Sequence, residues 1–503
     1  MNRNFSHRIT FQSTLVLFSI MLVSVGMLRG ESPAIVLRDL PLLFADDSGV
    51  ASSSGVKRTV HPARTRSQAV LEGDVPQEGS RVYLHGSVHY DEATGLLRMW
   101  YAGHPDLPDG KKAKVEGFRS GKGNFVLYAT SKDGLEWERP TLGLHEFQGS
   151  KENNIIYDFH SPSVLVDALD PDPARRYKML GSLRGAYYSA TSADGLHWSG
   201  PKEPIVNSSD NITLTRDPTS GDYLAFLRPK QAMIRGYPRR VVALSRSRDF
   251  VKWSKPEVVF APDEQDDTWA TEPGQRTEVN NMSVFPHAAG FLSFPTIFRV
   301  TAADRPASQL SPGQSATDGT LDVQLITSAD GRHWQRTEKR EPIIARGAPG
   351  SFDAGSIFSV GSTMVHVRDE TWVYYTGLST SHGAPMPPKR IAIGRAEWRR
   401  HGFVSLDAGE ETGRVETKPL RLVAPRLVIN ADASGGEARV ALREADGREI
   451  AGFSIQECTA LHADDLRWTP TWKNHASLPI DRPIRVLIEL KSARLFSLSS
   501  LQQ

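Results

Sequence analysis

From about residue 40 to the C-terminus, apolar residues come in short runs separated by Gly, Asp, Pro and Ser. No amphipathic stretch of helical length interrupts them, so the pattern predicts strands and tight turns throughout. One unit of the pattern repeats. Ser131-Lys132-Asp133-Gly134-Leu135-Glu136-Trp137 recurs as Ser192-Ala193-Asp194-Gly195-Leu196-His197-Trp198, as Ser247-Arg248-Asp249-Phe250-Val251-Lys252-Trp253, and as Ser328-Ala329-Asp330-Gly331-Arg332-His333-Trp334. Each copy follows an apolar run (126–129, 186–190, 241–244 and 323–326). A strand, an Asp-Gly turn and a Trp entering the next strand is the reading this order gives. Asp accepts from the turn backbone, Gly supplies positive φ, and Trp packs between sheets.

The four tryptophans lie 61, 55 and 81 residues apart. That period is too long for a helical solenoid and suits the four-stranded blade of a propeller. Within each repeat the order is inner strand, turn, second strand, hairpin: 86–90 and 96–101, 163–166 and 177–180, 211–215 and 223–227, then a fourth unit from residue 281. Residues 301–320 read as a surface loop inserted in the fourth unit. A fifth unit (355–360, 363–367, 372–375, 391–398) lacks the Ser-Asp-Gly phrase. Residues 407–417, polar and rich in Gly and Glu, read as a linker, and later short runs read as sandwich strands. The expectation is an all-β chain. It comprises a signal peptide over 1–30, a five-bladed β-propeller over 31–406, a linker over 407–417 and a C-terminal β-sandwich over 418–503.

The N-terminus changes the picture most. Arg3, His7 and Arg8 precede an apolar run from Leu15 to Leu28, as in a secretory signal, which predicts export to the periplasm or beyond, with an uncleaved anchor as the alternative. The run is short for a bilayer span, so no further membrane domain is expected. Among 503 residues, 60 are basic and 58 acidic, which gives no electrostatic pull toward nucleic acid. The single cysteine, Cys458, rules out an internal disulfide. No metal-ligand spacing, Ser-His-Asp arrangement or phosphate-binding glycine loop stands out, so no cofactor or metal is expected.

Several phrases carry a resemblance: Leu43-Phe44-Ala45-Asp46-Asp47, Tyr223-Leu224-Ala225-Phe226-Leu227-Arg228-Pro229, Met282-Ser283-Val284-Phe285-Pro286 and Gly350-Ser351-Phe352-Asp353-Ala354-Gly355. With these the chain resembles exported bacterial proteins of planctomycete type, whose N-terminal domain is similar to glycoside hydrolase family 32. The resemblance implies a propeller followed by a sandwich, and a carbohydrate substrate or ligand. It departs at the chemistry. The family's Asn-Asp-Pro nucleophile motif is absent, Arg216-Asp217-Pro218 falls on an outer turn, and Glu457-Cys458 falls in the expected sandwich.

Inner strands of a propeller converge on an axial funnel, so acids at their entrances are the candidates for glycoside chemistry, which needs two carboxyl groups across a sugar. These are Glu78, Asp210, Glu278 and Asp353, with Asp158 a further acid. The resemblance places a general acid at Glu278. Arg228, His85, His160 and His382 are candidate substrate-binding residues, since a guanidinium fork holds an anion and neutral imidazole bonds hydroxyls. For each residue a structural role stays open. An exported glycoside hydrolase, a non-catalytic carbohydrate-binding propeller and a structural envelope propeller are the competing functions.

Overall fold

Apolar alternation and Asp-Gly turns build an all-β chain. The computed structural model describes residues 34–38, 40–106, 115, 118, 124–200, 203–208, 210–303, 305–311, 314–473 and 478–501, and the expected signal peptide lies outside them. Five sheets start with the strands Val82–Asp91, His160–Val166, Ile212–Arg216, Arg276–His287 and Ser356–Val360. These first strands adjoin one another in that order, and the fifth returns to the first, so they enclose an axis. The last sheet is completed by an N-terminal strand, Arg64–Thr65, paired with Ile391–Arg399. Early and late segments of the chain are thereby joined within one sheet.

Hydroxyl side chains stitch the inner strands together. Ser87 and Ser163 both bond Ser362, at 2.7 and 2.8 Å. Ser163 accepts from the Leu214 N–H at 2.9 Å, Thr213 donates to the Met282 carbonyl at 2.6 Å, and Ser283 donates to the Val360 carbonyl at 2.7 Å. Small polar residues suit this crowded place because the strands approach too closely for larger ones. A Cβ on Gly86 would stand 1.8 Å from the Trp100 carbonyl oxygen.

The repeated phrase is the hairpin closing each of the first four sheets. Asp133 Oδ1 accepts from the N–H groups of Leu135 and Glu136, and Gly134 has φ +74°. Asp194, Asp249 and Asp330 repeat the geometry, although Phe250 takes the glycine's place at φ +63°. An arginine of the neighbouring sheet grips every hairpin at the aspartate carbonyl: Arg395 at Asp133, Arg98 at Asp194, Arg175 at Asp249 and Arg246 at Asp330. The turn motif is therefore also the joint between sheets.

Two six-stranded sheets form the sandwich, and they correct the expected boundaries. Residues 407–417 are not a linker, for Val404–Ala408 and Gly413–Thr417 are strands of opposite sheets. Their polar composition reflects one exposed face. Glu416 pairs with Arg443 at 3.0 Å, while Val415 and Thr417 turn inward. The N-terminal segment also belongs here rather than to the propeller. Ile35–Leu37 and Val50–Ser54 join one sheet, Leu42–Leu43 and Val56–Val60 the other. Leu37, Leu42 and Phe44 share a core with Leu406, Ile429, Val440 and Leu495. Most of the expected 301–320 loop keeps its irregular path, but its ends extend the strands Gly290–Ala302 and Asp318–Gln324.

Candidate functional site at the funnel mouth

Four of the five inner strands lose their regular pairing at one level of the axis. Register shifts fall between Tyr83 and Ser87, His160 and Ser163, Val279 and Asn281, and Ile357 and Ser359. On the remaining strand the break comes just before it starts, where Asp210, a non-glycine residue, has φ +148°. A bulge turns a side chain out of the alternation, and strained backbone recurs at functional positions. Here the displaced residues are joined around the axis. Ser161 donates to Asn211 at 3.1 Å, Asn211 to the Asn280 carbonyl at 3.2 Å, and Asn280 to the Phe358 carbonyl at 3.1 Å.

Rings close the circle. Phe358 lies 5.8 Å from Tyr83, 5.5 Å from His85 and 5.6 Å from His382, between ring centroids. His85 stacks on Tyr83 and meets His160 edge-on at 5.4 Å, while His104 lies 6.1 Å from His160. Asn124 approaches His160 Nδ1 at 3.2 Å. Tyr83, His104, His160, Phe358 and His382 are all partly buried, and His85 is buried. Burial, then the neighbouring His160 and Arg228, hold His85 well below its ordinary range, and burial lowers His382 to about 4. At neutral pH these imidazoles are neutral, each able to donate and accept one hydrogen bond.

Of the nine sequence candidates, the structure gathers six here: Asp210, Glu278, Arg228, His85, His160 and His382. Arg228 forms an ion pair with Asp210 and donates to Asn280 Oδ1 at 2.8 Å, which joins the third sheet to the fourth. Asp210 keeps 36 % of its side chain exposed, and its second carboxylate oxygen receives no bond from the described residues. Glu278 is buried, with Arg276 at 2.8 Å on one oxygen and Arg240 at 3.4 Å on the other. A carboxylate clamped on both oxygens has none free to carry a proton to a leaving group, so its expected role as general acid is not supported by this geometry.

Two of the catalytic candidates, Glu78 and Asp353, are buried with partners of their own and are not among the residues joined here. Glu78 is fully buried, held by Arg139 at 2.7 Å and by the Tyr101 hydroxyl. It anchors the segment before the first sheet. Asp353 is also fully buried and accepts from Ser351 and Tyr375, both at 2.7 Å. Of the glycines flanking it, Gly355 is packed so closely that a Cβ would stand 2.0 Å from the Thr380 carbonyl oxygen, while a Cβ on Gly350 would meet nothing within 4 Å.

Sequence reading missed Tyr83, His104, Asn124, Asn280, Phe358 and Arg240. Only the alternation in Tyr83-Leu84-His85, which puts two rings on one strand face, could have signalled any of them. Among the described residues no group of three or more His, Cys, Asp or Glu side chains is arranged to hold a metal.

No family model and no curated protein matches the chain, so the resemblance to family 32 gains no support from those comparisons. Solved structures do match in shape. A BT0996 complex with RGII aligns with TM-score 0.46 at 11% identity, over 67% of this chain and 92% of its own. An N-acetylgalactosamine deacetylase from F. plautii in complex with blood group B trisaccharide aligns with TM-score 0.41 at 16% identity, over 69% and 96%. A β-1,2-mannobiose phosphorylase from Listeria innocua aligns with TM-score 0.37 at 11% identity, over 63% and 89%. Likenesses this distant carry no functional weight, and the site is read from its own geometry.

Proposed function

We propose that this chain is a carbohydrate-active protein that holds a saccharide across the funnel mouth. The observation that carries the reading is the coincident break of the inner strands, which presents rings, amides and guanidinium groups at one level. Partly exposed rings offer faces for stacking on a sugar, and the surrounding polar groups can bond its hydroxyls.

The enzymatic form of this proposal is glycoside cleavage, with Asp210 as the working carboxylate. Arg228 fixes one of its oxygens and leaves the other to a bound sugar or water. An ion-paired carboxylate suits attack on the sugar or activation of water rather than proton donation. One observation favours the second reading, a non-catalytic binder: Glu278, the other acid of this cluster, has both oxygens engaged by arginines. Titration of the full-length protein against a glycan panel with product detection separates the two. Asp210→Asn should keep binding and lose turnover if the protein cleaves glycosides. Wild-type binding with no product from any glycan leaves the binder. Export belongs to the proposal too and rests on the sequence of residues 3–32; N-terminal sequencing of the secreted protein tests it.

A further inference from the structure

Five cations, Arg81, Arg228, Arg240, Arg276 and Lys389, stand around the mouth against four acids, Asp106, Asp210, Glu278 and Asp318. Arg228 and Arg240 repel one another, as do Lys389 and Arg81, with Glu278 and Asp210 offsetting part of the first repulsion and Asp318 part of the second. On the far side the imidazoles of His104 and His85, lowered first by burial, also lie in the fields of Arg81 and Arg228. Glu278 serves two guanidinium groups at once, Arg276 and Arg240, and Arg81 reaches Asp106 only at 4.0 Å. Burial followed by repulsion from Arg228 lowers Arg240 to about 10, so its charge is held at a cost. Three nitrogens here also lack any hydrogen-bond partner among the described residues: Arg240 Nη1, Arg228 Nε and His85 Nδ1. Buried donors are rarely left unmatched, and an unpaired one on a charged group costs most.

Resting on the saccharide reading above, we propose that the sugar bound at this mouth is anionic, its carboxylate or sulfate ester drawn to Arg240 and Arg228. Both arginines keep some side-chain surface open, 16 and 14 %. An oxyanion on the sugar offsets the excess charge and brings charged acceptors in place of hydroxyls, and the planar guanidinium matches it in charge and shape. Phe358 and Tyr83, within ring contact of His85, then pack against the sugar's apolar face.

The test uses full-length protein and matched oligosaccharide sets: uronate-containing, the same chains methyl-esterified, sulfated, the same chains desulfated, with inorganic sulfate as competitor. The expected result is binding of an acidic set about tenfold or more tighter than its neutral match, the scale of one charge-assisted hydrogen bond. Preference for the uronates assigns a carboxylate, and preference for the sulfated chains assigns a sulfate ester. Arg240→Gln should bring acidic and neutral chains to parity, and Arg240→Lys should retain part of the preference and guards against a folding defect in the first variant. Equal affinity of wild type for acidic and neutral chains overturns the anion assignment while the saccharide reading stands. Failure to bind any glycan overturns both. Inorganic sulfate binding as tightly as the sulfated chains would place a free anion here and overturn the assignment to a sugar.

Discussion

Replacing Asp194 by alanine should destabilise the propeller without touching the funnel. Asp194 Oδ1 accepts from Leu196 N–H at 2.8 Å, His197 N–H at 2.9 Å and Ser192 Oγ at 3.0 Å, and Oδ2 meets His197 Nδ1 at 2.7 Å. A net hydrogen bond contributes about 0.5–1.5 kcal/mol. The side chain is 47 % exposed, so water can replace part of what is lost. The expected cost is therefore about 1–3 kcal/mol rather than the sum of four full bonds. Burial alone would raise this carboxyl, but the bonds from His197, Leu196 and Ser192 outweigh it and hold the group below its ordinary value. With a depressed folded value, its contribution is full above about pH 4 and fades as pH falls further. Urea denaturation at pH 7 reads the cost, with Glu136→Ala, on an equivalent hairpin, as the control. Two results would refute the reasoning: a midpoint no lower than the control's, or lost glycan binding at unchanged stability.

Other outcomes follow from the same geometry. Glu78→Ala removes the buried acceptor shared by Arg139 and the Tyr101 hydroxyl, while Asp74 still pairs with Arg139 at 2.9 Å, so it should cost about 1–3 kcal/mol with glycan binding per folded molecule unchanged. Thermal melts should also show acid sensitivity set by buried histidines. Burial lowers His89, His287, His366 and His382 to about 4. The unfolded chain takes up protons first as pH falls through about 6.5, so their contribution is present above that pH and lost between about 6.5 and 4. A flat melting temperature from pH 7 to 4.5 would contradict this.

What the sequence revealed was mainly what is local. The Asp-Gly hairpins could be read because the acceptor and the N–H groups it bonds lie within three residues of each other. The arginines that grip those hairpins could not, since Arg98 and Arg395 reach residues 96 and 262 positions away. The membership of residues 35–60 in the sandwich was hidden for the same reason: Val56–Val60 pairs with Val404–Ala408, and nothing in a short polar strand names its partner. Asp210, Glu278, Arg228 and three histidines were found because strand entrances converge. Their roles were not, because roles depend on long-range partners such as Arg240 on Glu278. The bulges that raise Asn280 and Phe358 into the mouth depend on register, which hydrophobic alternation does not report.

The central claim, a saccharide held at the broken level of the inner strands, is tested most directly by calorimetric titration of wild type and Phe358→Ala against the same glycan panel, after confirming equal melting temperatures. The account predicts that at least one glycan binds wild type and that the variant binds it about 2–10-fold more weakly, the scale of one lost stacking contact. Wild-type binding that Phe358→Ala leaves unchanged, or no binding of any glycan, would contradict it.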